Sequence, residues 1–168
     1  MIFLDIETSG IDRINCSILS IGAVDYETGL SFYTECRRQD EFSIADEALK
    51  INGFTRERIK AITKSDREGY FEFEAWTKQF NNPILAGYHI GGFDCMFLHK
   101  AFDGTFDMNW PFGKRFVDLH SIAYYLFDES LSLDKLLARL NMPPEAKPHN
   151  ALTGAQLECA IYKTLKNT

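Results

Sequence analysis

Residues 2–36 read IFLDIETSGIDRINCSILSIGAVDYETGLSFYTEC, and their pattern decides the fold. Residues 2–7 are apolar apart from the acids near the end, as expected of a strand buried in a sheet. Gly10 to Asn15 form a loop, residues 17–25 have strand composition, and Glu27-Thr28-Gly29 turns the chain into a third strand over 30–36. Three consecutive strands joined by short connections predict an antiparallel meander. Beyond it the apolar period lengthens. Ser43 is placed as the N-cap of a helix over 44–52, Thr55 caps 56–62, and Phe71, Ala75, Trp76 and Phe80 share one face of a helix over 68–80. From Pro83 onward strands and helices alternate: ILAGY (84–88), a helix over 93–102 after Gly91-Gly92, RFVDL (115–119), helices over 119–127 and 133–140, and a last helix over 150–165. A meander followed by this alternation implies an α/β fold. Its centre is a mixed five-stranded sheet, the antiparallel meander plus two parallel strands, with helices on both faces.

Nothing in the composition divides the chain. There is no internal repeat, low-complexity tract or linker, so residues 1–168 are expected to form one domain, a length that buries roughly two-thirds of the unfolded surface. Hydrophobic residues at 45% and charged residues at 25% are ordinary for a globular protein. No apolar run approaches the roughly 20 residues of a membrane span, and MIFLDIETSG lacks the basic start of a secretory leader. Cys16, Cys36, Cys95 and Cys159 form neither a C-x-x-C pair nor a Cys/His cluster, which fits reduced thiols and a cytoplasmic location. A net charge of −6 excludes a broad basic nucleic-acid surface. It permits an enzyme that grips a short strand end, because metal-binding carboxylates are negative until cations reverse them locally.

Asp5 and Glu7 lie two apart on one strand, so both leave the same face near its C-terminal end. Carboxylates about 7 Å apart at Cα repel unless something neutralises them. Mg²⁺ and Mn²⁺ suit such a pair, preferring oxygen ligands and accepting one or two carboxylates together with a substrate phosphate. Two solvated acids at a strand end are an equal reading of the pair alone.

The flanking residues separate these readings. FLDIETSG, SILSIGAV, ALKINGFT, LAGYHIGGFDCMFL, FVDLHSIAYYL, SLDKLLARL and HNAL with AQ beyond it follow one another from Ile2 to about Tyr162. Together they resemble the DnaQ-like (DEDDh) 3′–5′ exonucleases of the ribonuclease H-like superfamily. The resemblance implies a ribonuclease H-like fold and an enzyme that removes nucleoside 5′-monophosphates from the 3′ end of single-stranded DNA. It makes Asp5, Glu7 and Asp94 ligands of two Mg²⁺ or Mn²⁺ ions and His149 the general base, suited to that role by an unperturbed pKa near about 6.5. Thr8 and Ser9 would then lie near the terminal nucleotide, with Ile11 and Phe93 wedged against its base. Replication or repair proteins are the implied partners.

Two departures stand out. The family expects an aspartate five positions after the histidine, where this chain has Gly154. Glycine inside a helix costs about 1 kcal/mol relative to alanine, and nothing in the surrounding pattern asks for it. Three accounts are open: an introduced substitution of an aspartate, natural loss of activity, or replacement by Glu158 one turn on. The last is ranked lowest because the Glu158 Cα lies about 6 Å further along the axis. The expectation is therefore an altered site on an exonuclease scaffold, with one of the two ions weakened. The second departure is His89, where the family usually has asparagine; a structural role is expected for it, as for His99, His120 and Asp118. Two other readings compete with the exonuclease: a catalytically impaired nucleic-acid-binding or partner-docking module on the same fold, favoured by Gly154, and an oligoribonuclease acting on RNA.

Overall fold

The computed structural model describes residues 1–81, 83–103, 110–112 and 115–167. The meander forms as expected: β1 (Ile2–Thr8), β2 (Ile18–Asp25) and β3 (Ser31–Glu35) pair antiparallel. β4 (Leu85–Gly87) and β5 (Phe116–Asp118) add in parallel on the other side of β1. The sheet order is β3-β2-β1-β4-β5, which leaves β1 at the centre.

Helices cover both faces because β1 and β2 are buried on both. Ile2, Leu4 and Ile6 belong to a core with Tyr70 and Phe73 of α3 (Asp66–Thr77) and Leu98 of α4 (Asp94–Asp103). Phe3, from the opposite face of the same strand, joins a core with α5 (Leu119–Phe127), α6 (Leu133–Arg139) and α7 (Ala151–Leu165). Two short helices, α1 (Asp46–Asn52) and α2 (Arg56–Ala61), enclose a third, smaller cluster around Leu19, Phe54 and Ile59.

Most helix starts follow their capping residues. Thr55 caps α2, Asp118 caps α5, Ser132 caps α6 and Asn150 caps α7 through their side chains. Ser43 does not cap α1. Its N–H donates to the carbonyl of Asn15 and its own carbonyl accepts from Ser9 Oγ, so the residue is held in loop pairing and α1 starts at Asp46 without a side-chain cap. α3 starts at Asp66, two residues before its expected place, because Ser65 and Glu68 form a reciprocal capping box.

α7 lies close against the sheet. A Cβ at Gly22, the β2 residue paired with Asp5, would land on the Ala151–Leu152 peptide of the first α7 turn. The turn before α4 needs a left-handed residue, and that residue is His89 (φ 56°) rather than either glycine of the following pair. All four cysteines are buried free thiols.

Candidate active site

Alternation along β1 sends Asp5 and Glu7 to the face that also carries Phe3, the face covered by α7. Asp94 opens α4, and its Oδ1 accepts the N–H of Ile6 at 3.1 Å, tying that helix start to the strand between the two acids. Glu145 and His149 come from the segment between α6 and α7. That segment is fixed by a hydrogen bond of 2.9 Å from the His149 N–H to the carbonyl of Ile51. Gly53, left-handed at the end of α1, passes so near Pro148 that a Cβ there would lie 2.7 Å from the proline ring. Glu158 reaches in from α7. Its Oε1 accepts the Tyr88 N–H at 2.9 Å, while its buried Oε2 has no hydrogen-bond partner.

All of these side chains line one cleft of about 390 Å³, together with His89, Phe93 and Gly154. The lining holds five carboxylates and two histidines, and among the described residues no lysine or arginine. The electrostatic consequence is uniform. Asp5 is raised well above the usual carboxylate range by burial and then by the charges of Glu158, Asp94, Glu7 and Glu145. Burial, Glu145 and Asp94 push Glu7 up to about 7, against a hydrogen bond from Asn52. Burial also pushes Asp94 up to about 7, although backbone N–H groups stabilise its charge. Glu158 is raised well above its ordinary value by burial and by Asp94, with the Tyr88 N–H opposing. Glu145 is raised by burial, with His149 opposing. Its Oε2 lies 3.5 Å from His149 Nδ1.

Such a donor set fits hard divalent cations: oxygen ligands in excess, little opposing charge, and an orphaned buried oxygen on Glu158. It is not a closed cage. Among the described residues, no three His, Cys, Asp or Glu groups are gathered tightly enough to hold an ion as they stand. Uncompensated carboxylates repel, and Asp94 and Glu158 turn to backbone N–H groups.

The structure thus brings Asp5, Glu7, Asp94 and His149 together. Phe93 lines the same cleft, and with the highly exposed Ile11 it also lines an adjoining hollow of about 280 Å³. The side chains of Thr8 and Ser9 are turned inward, which leaves their backbone as the part that could face a nucleotide. Thr8 Oγ1 donates to the carbonyl of Gly10, and Ser9 Oγ donates to that of Ser43 while accepting the Ser17 N–H. Both shape the loop after β1, and neither lines the cleft. His89 is exposed in the cleft wall with its ring 4.4 Å from that of His120. Asp118 is structural, capping α5.

The helical pattern does not ask for glycine at 154, and what borders that position is the Asp5 side chain. A Cβ there would lie 2.9 Å from Asp5 Cγ and closer still to its Oδ2. Three contributors escaped the sequence reading or were discounted. Glu158 was visible as the acid one turn after Gly154, and Glu145 as the acid four residues before His149. Asn52 carries no local signal.

Residues 2–162 match the sequence profile of the RNase_T family, described as exonuclease. The chain is 27% identical over 165 residues to the PolC-type DNA polymerase III of Thermotoga petrophila, and equally so to that of Thermotoga maritima. The match takes in 96% of this chain and spans about 11% of each polymerase. Among solved structures, exonuclease I of E. coli bound to a dA16 oligonucleotide superposes with a TM-score of 0.78 at 18% identity, over 99% of this chain and 40% of that one. A zinc-bound complex of the same enzyme with single-stranded DNA gives a TM-score of 0.77 at 18% identity, with the same coverage.

Proposed function

Because the chain belongs to the RNase_T exonuclease family, we propose that it is a divalent-metal-dependent 3′–5′ exonuclease acting on single-stranded DNA ends. One observation carries the reading: carboxylates from separate chain segments share a cleft with His149 and, among the described residues, no lysine or arginine, each carboxyl held above its ordinary pKa. Asp5, Glu7 and Asp94 would hold Mg²⁺ or Mn²⁺. Such ions, when bound, supply a water of lowered pKa and stabilise the leaving 3′ oxygen.

The chain's own residues provide the rest. His149 accepts the proton of the attacking water. Glu145 lies 3.5 Å from Nδ1, which leaves Nε2 as the nitrogen free to take it. Phe93 and Ile11 offer apolar surface to the terminal base, a contact that tolerates any sequence. On the other side of His149 and Glu145, a groove of about 640 Å³ carries Lys50 and Lys147, which suit the phosphates of a strand leaving the cleft. The DNA-containing structures of exonuclease I and the polymerase relatives favour DNA over RNA as substrate, and replication or repair proteins as partners.

The direct test follows nucleotide release from a single-stranded oligonucleotide labelled at either end, in Mg²⁺ or Mn²⁺. Stepwise shortening from the 3′ end with nucleoside 5′-monophosphate product is expected. Asp94→Asn should slow it by at least about tenfold, the lower end of what a metal-site residue outside the ligand set already contributes. Strand binding indifferent to metal and to Asp94→Asn, with no release, would establish the silent binding module instead. Faster release from RNA than from DNA of the same sequence would move the assignment to an oligoribonuclease.

A further inference from the structure

We propose that Glu158 is the fourth acidic metal ligand of this site, supplied from one helical turn beyond the position where the family places an aspartate. The inference rests on the metal-dependent reading above and reverses the ranking that spacing alone suggests.

Three observations lead to it. First, Glu158 is only 6% exposed, and its Oε2 is buried without a hydrogen-bond partner among the described residues, beside Gly87 at the end of β4. A buried carboxyl oxygen left unpaired is costly, and an ion that meets it is one way such a cost is recovered. Second, the carboxylate lines the same cleft as Asp5 and Asp94, its charge acting on Asp5 and that of Asp94 acting on it. Third, any side chain at residue 154 would have to displace the Asp5 carboxylate from its present position. Asp5 fills the space that a side chain at residue 154 would need.

The axial offset of about 6 Å is the objection, and helix geometry answers much of it. Side chains on a helix lean toward its N-terminus, so a residue covers surface over the turn before its own Cα. Glutamate adds a methylene to that reach. A carboxylate from residue 158 therefore returns toward the level of residue 154, and Oε1 is already anchored on the Tyr88 N–H, with Oε2 left free. Glycine at 154 and glutamate at 158 form one exchange: the helix surrenders its side chain beside Asp5 and supplies the charge from the next turn.

Calorimetric Mn²⁺ titration of the full chain, with thermal melting alongside, separates the possibilities. Glu158→Gln keeps the Tyr88 contact and removes the charge. It should weaken Mn²⁺ binding at least tenfold, the loss also expected of Asp5→Asn, and shrink the Mn²⁺-induced rise in Tm, while the metal-free Tm holds or rises. If Asp5→Asn weakens binding and Glu158→Gln does not, this inference is overturned and the metal-dependent reading stands. If the unmodified chain binds no Mn²⁺, or neither variant alters binding, the metal reading falls and this one with it. Manganese anomalous scattering from crystals of the unmodified chain gives an independent check that does not depend on a variant folding. A peak within coordination distance of Glu158 Oε2 is expected, and a peak only among residues 5, 7 and 94 would overturn the assignment.

Discussion

Gly154 sits where two opposing effects can be weighed. Replacing a helical glycine with alanine gains about 1 kcal/mol of helix propensity, or about 2–4 °C in Tm for a domain of this size. Against that, the new Cβ would press on the Asp5 carboxylate from 2.9 Å at Cγ. Gly154→Ala is therefore expected to gain none of that Tm and to lose at least tenfold in Mn²⁺ affinity and in nucleotide release. By the same geometry Gly154→Asp fails to raise activity. A more stable Gly154→Ala with unchanged Mn²⁺ affinity would show that Asp5 can move aside freely. Phe93 presents a different residue-scale question, because it borders both the carboxylate cleft and the hollow beside Ile11. An aromatic ring stacked on a base contributes about 1–3 kcal/mol. Phe93→Ala should raise KM for a single-stranded oligonucleotide about tenfold, since about 1.4 kcal/mol is a factor of ten, with kcat changing much less. A fall in kcat at constant KM would move Phe93 from base contact to positioning of Asp94, its neighbour in the chain.

At the scale of elements, the site depends on how closely α7 lies on the sheet. Gly22 permits that approach, and a Cβ there would meet backbone of α7, which cannot give way as a side-chain tip can. Overpacking of this kind costs about 3 kcal/mol, so Gly22→Ala should lower Tm by about 6–12 °C. It should also depress Mn²⁺ affinity, because residues 154 and 158 move with the helix. Ser65→Ala provides the contrast. It removes the α3 capping box and about 1 kcal/mol of stability, yet leaves kcat/KM alone because α3 contributes nothing to the cleft lining. Equal effects of the two changes on Mn²⁺ affinity would separate site geometry from the seat of α7. These elements also show what the sequence could convey. The meander is legible because strand period and the Glu27–Gly29 turn are local signals, and the order of the motifs is what points to Asp5, Glu7, Asp94 and His149 sharing one cleft. Ser43 misled because pairing with Asn15 and Ser9 outweighs a capping preference. The Ser65–Glu68 box lay in plain view but ahead of the apolar period that begins near Phe71. Asn52 and Glu145 reach the site through a helix end and an irregular segment, and only the tertiary fold encodes that approach. Glu158 was discounted because a Cα spacing along an axis says nothing of the direction in which a side chain leans.

Across the whole molecule, the buried carboxylates couple folding to protons, and the sign can be worked out. Glu7 rises from 4.5 and Asp94 from 3.8, each to about 7, on folding. Between those limits the folded chain keeps protons that the unfolded chain has released, so stability is full below about pH 4 and declines as pH climbs through 7. Groups shifted the other way, such as Asp25, Asp40 and Glu68, lie below their ordinary values, and their stabilisation is lost only in more acid solution. Between pH 5.5 and 8 the shifts of Glu7 and Asp94 set the trend, and the raised Asp66 outside the cleft acts in the same direction. A tenfold difference in proton affinity between the folded and unfolded chain corresponds to about 1.4 kcal/mol, so the metal-free protein in chelator should melt at least about 3–6 °C higher at pH 5.5 than at pH 8. Saturating Mn²⁺ should invert the slope, since the ion binds the ionised carboxylates and competes with protons for them. Its stabilising effect should be largest at pH 8 and nearly absent at pH 5.5. Thermal melts in chelator and in Mn²⁺ across this range read both trends. A metal-free Tm that climbs with pH would mean the carboxylates are already compensated within the fold, and the case for cations as their missing partners would be lost.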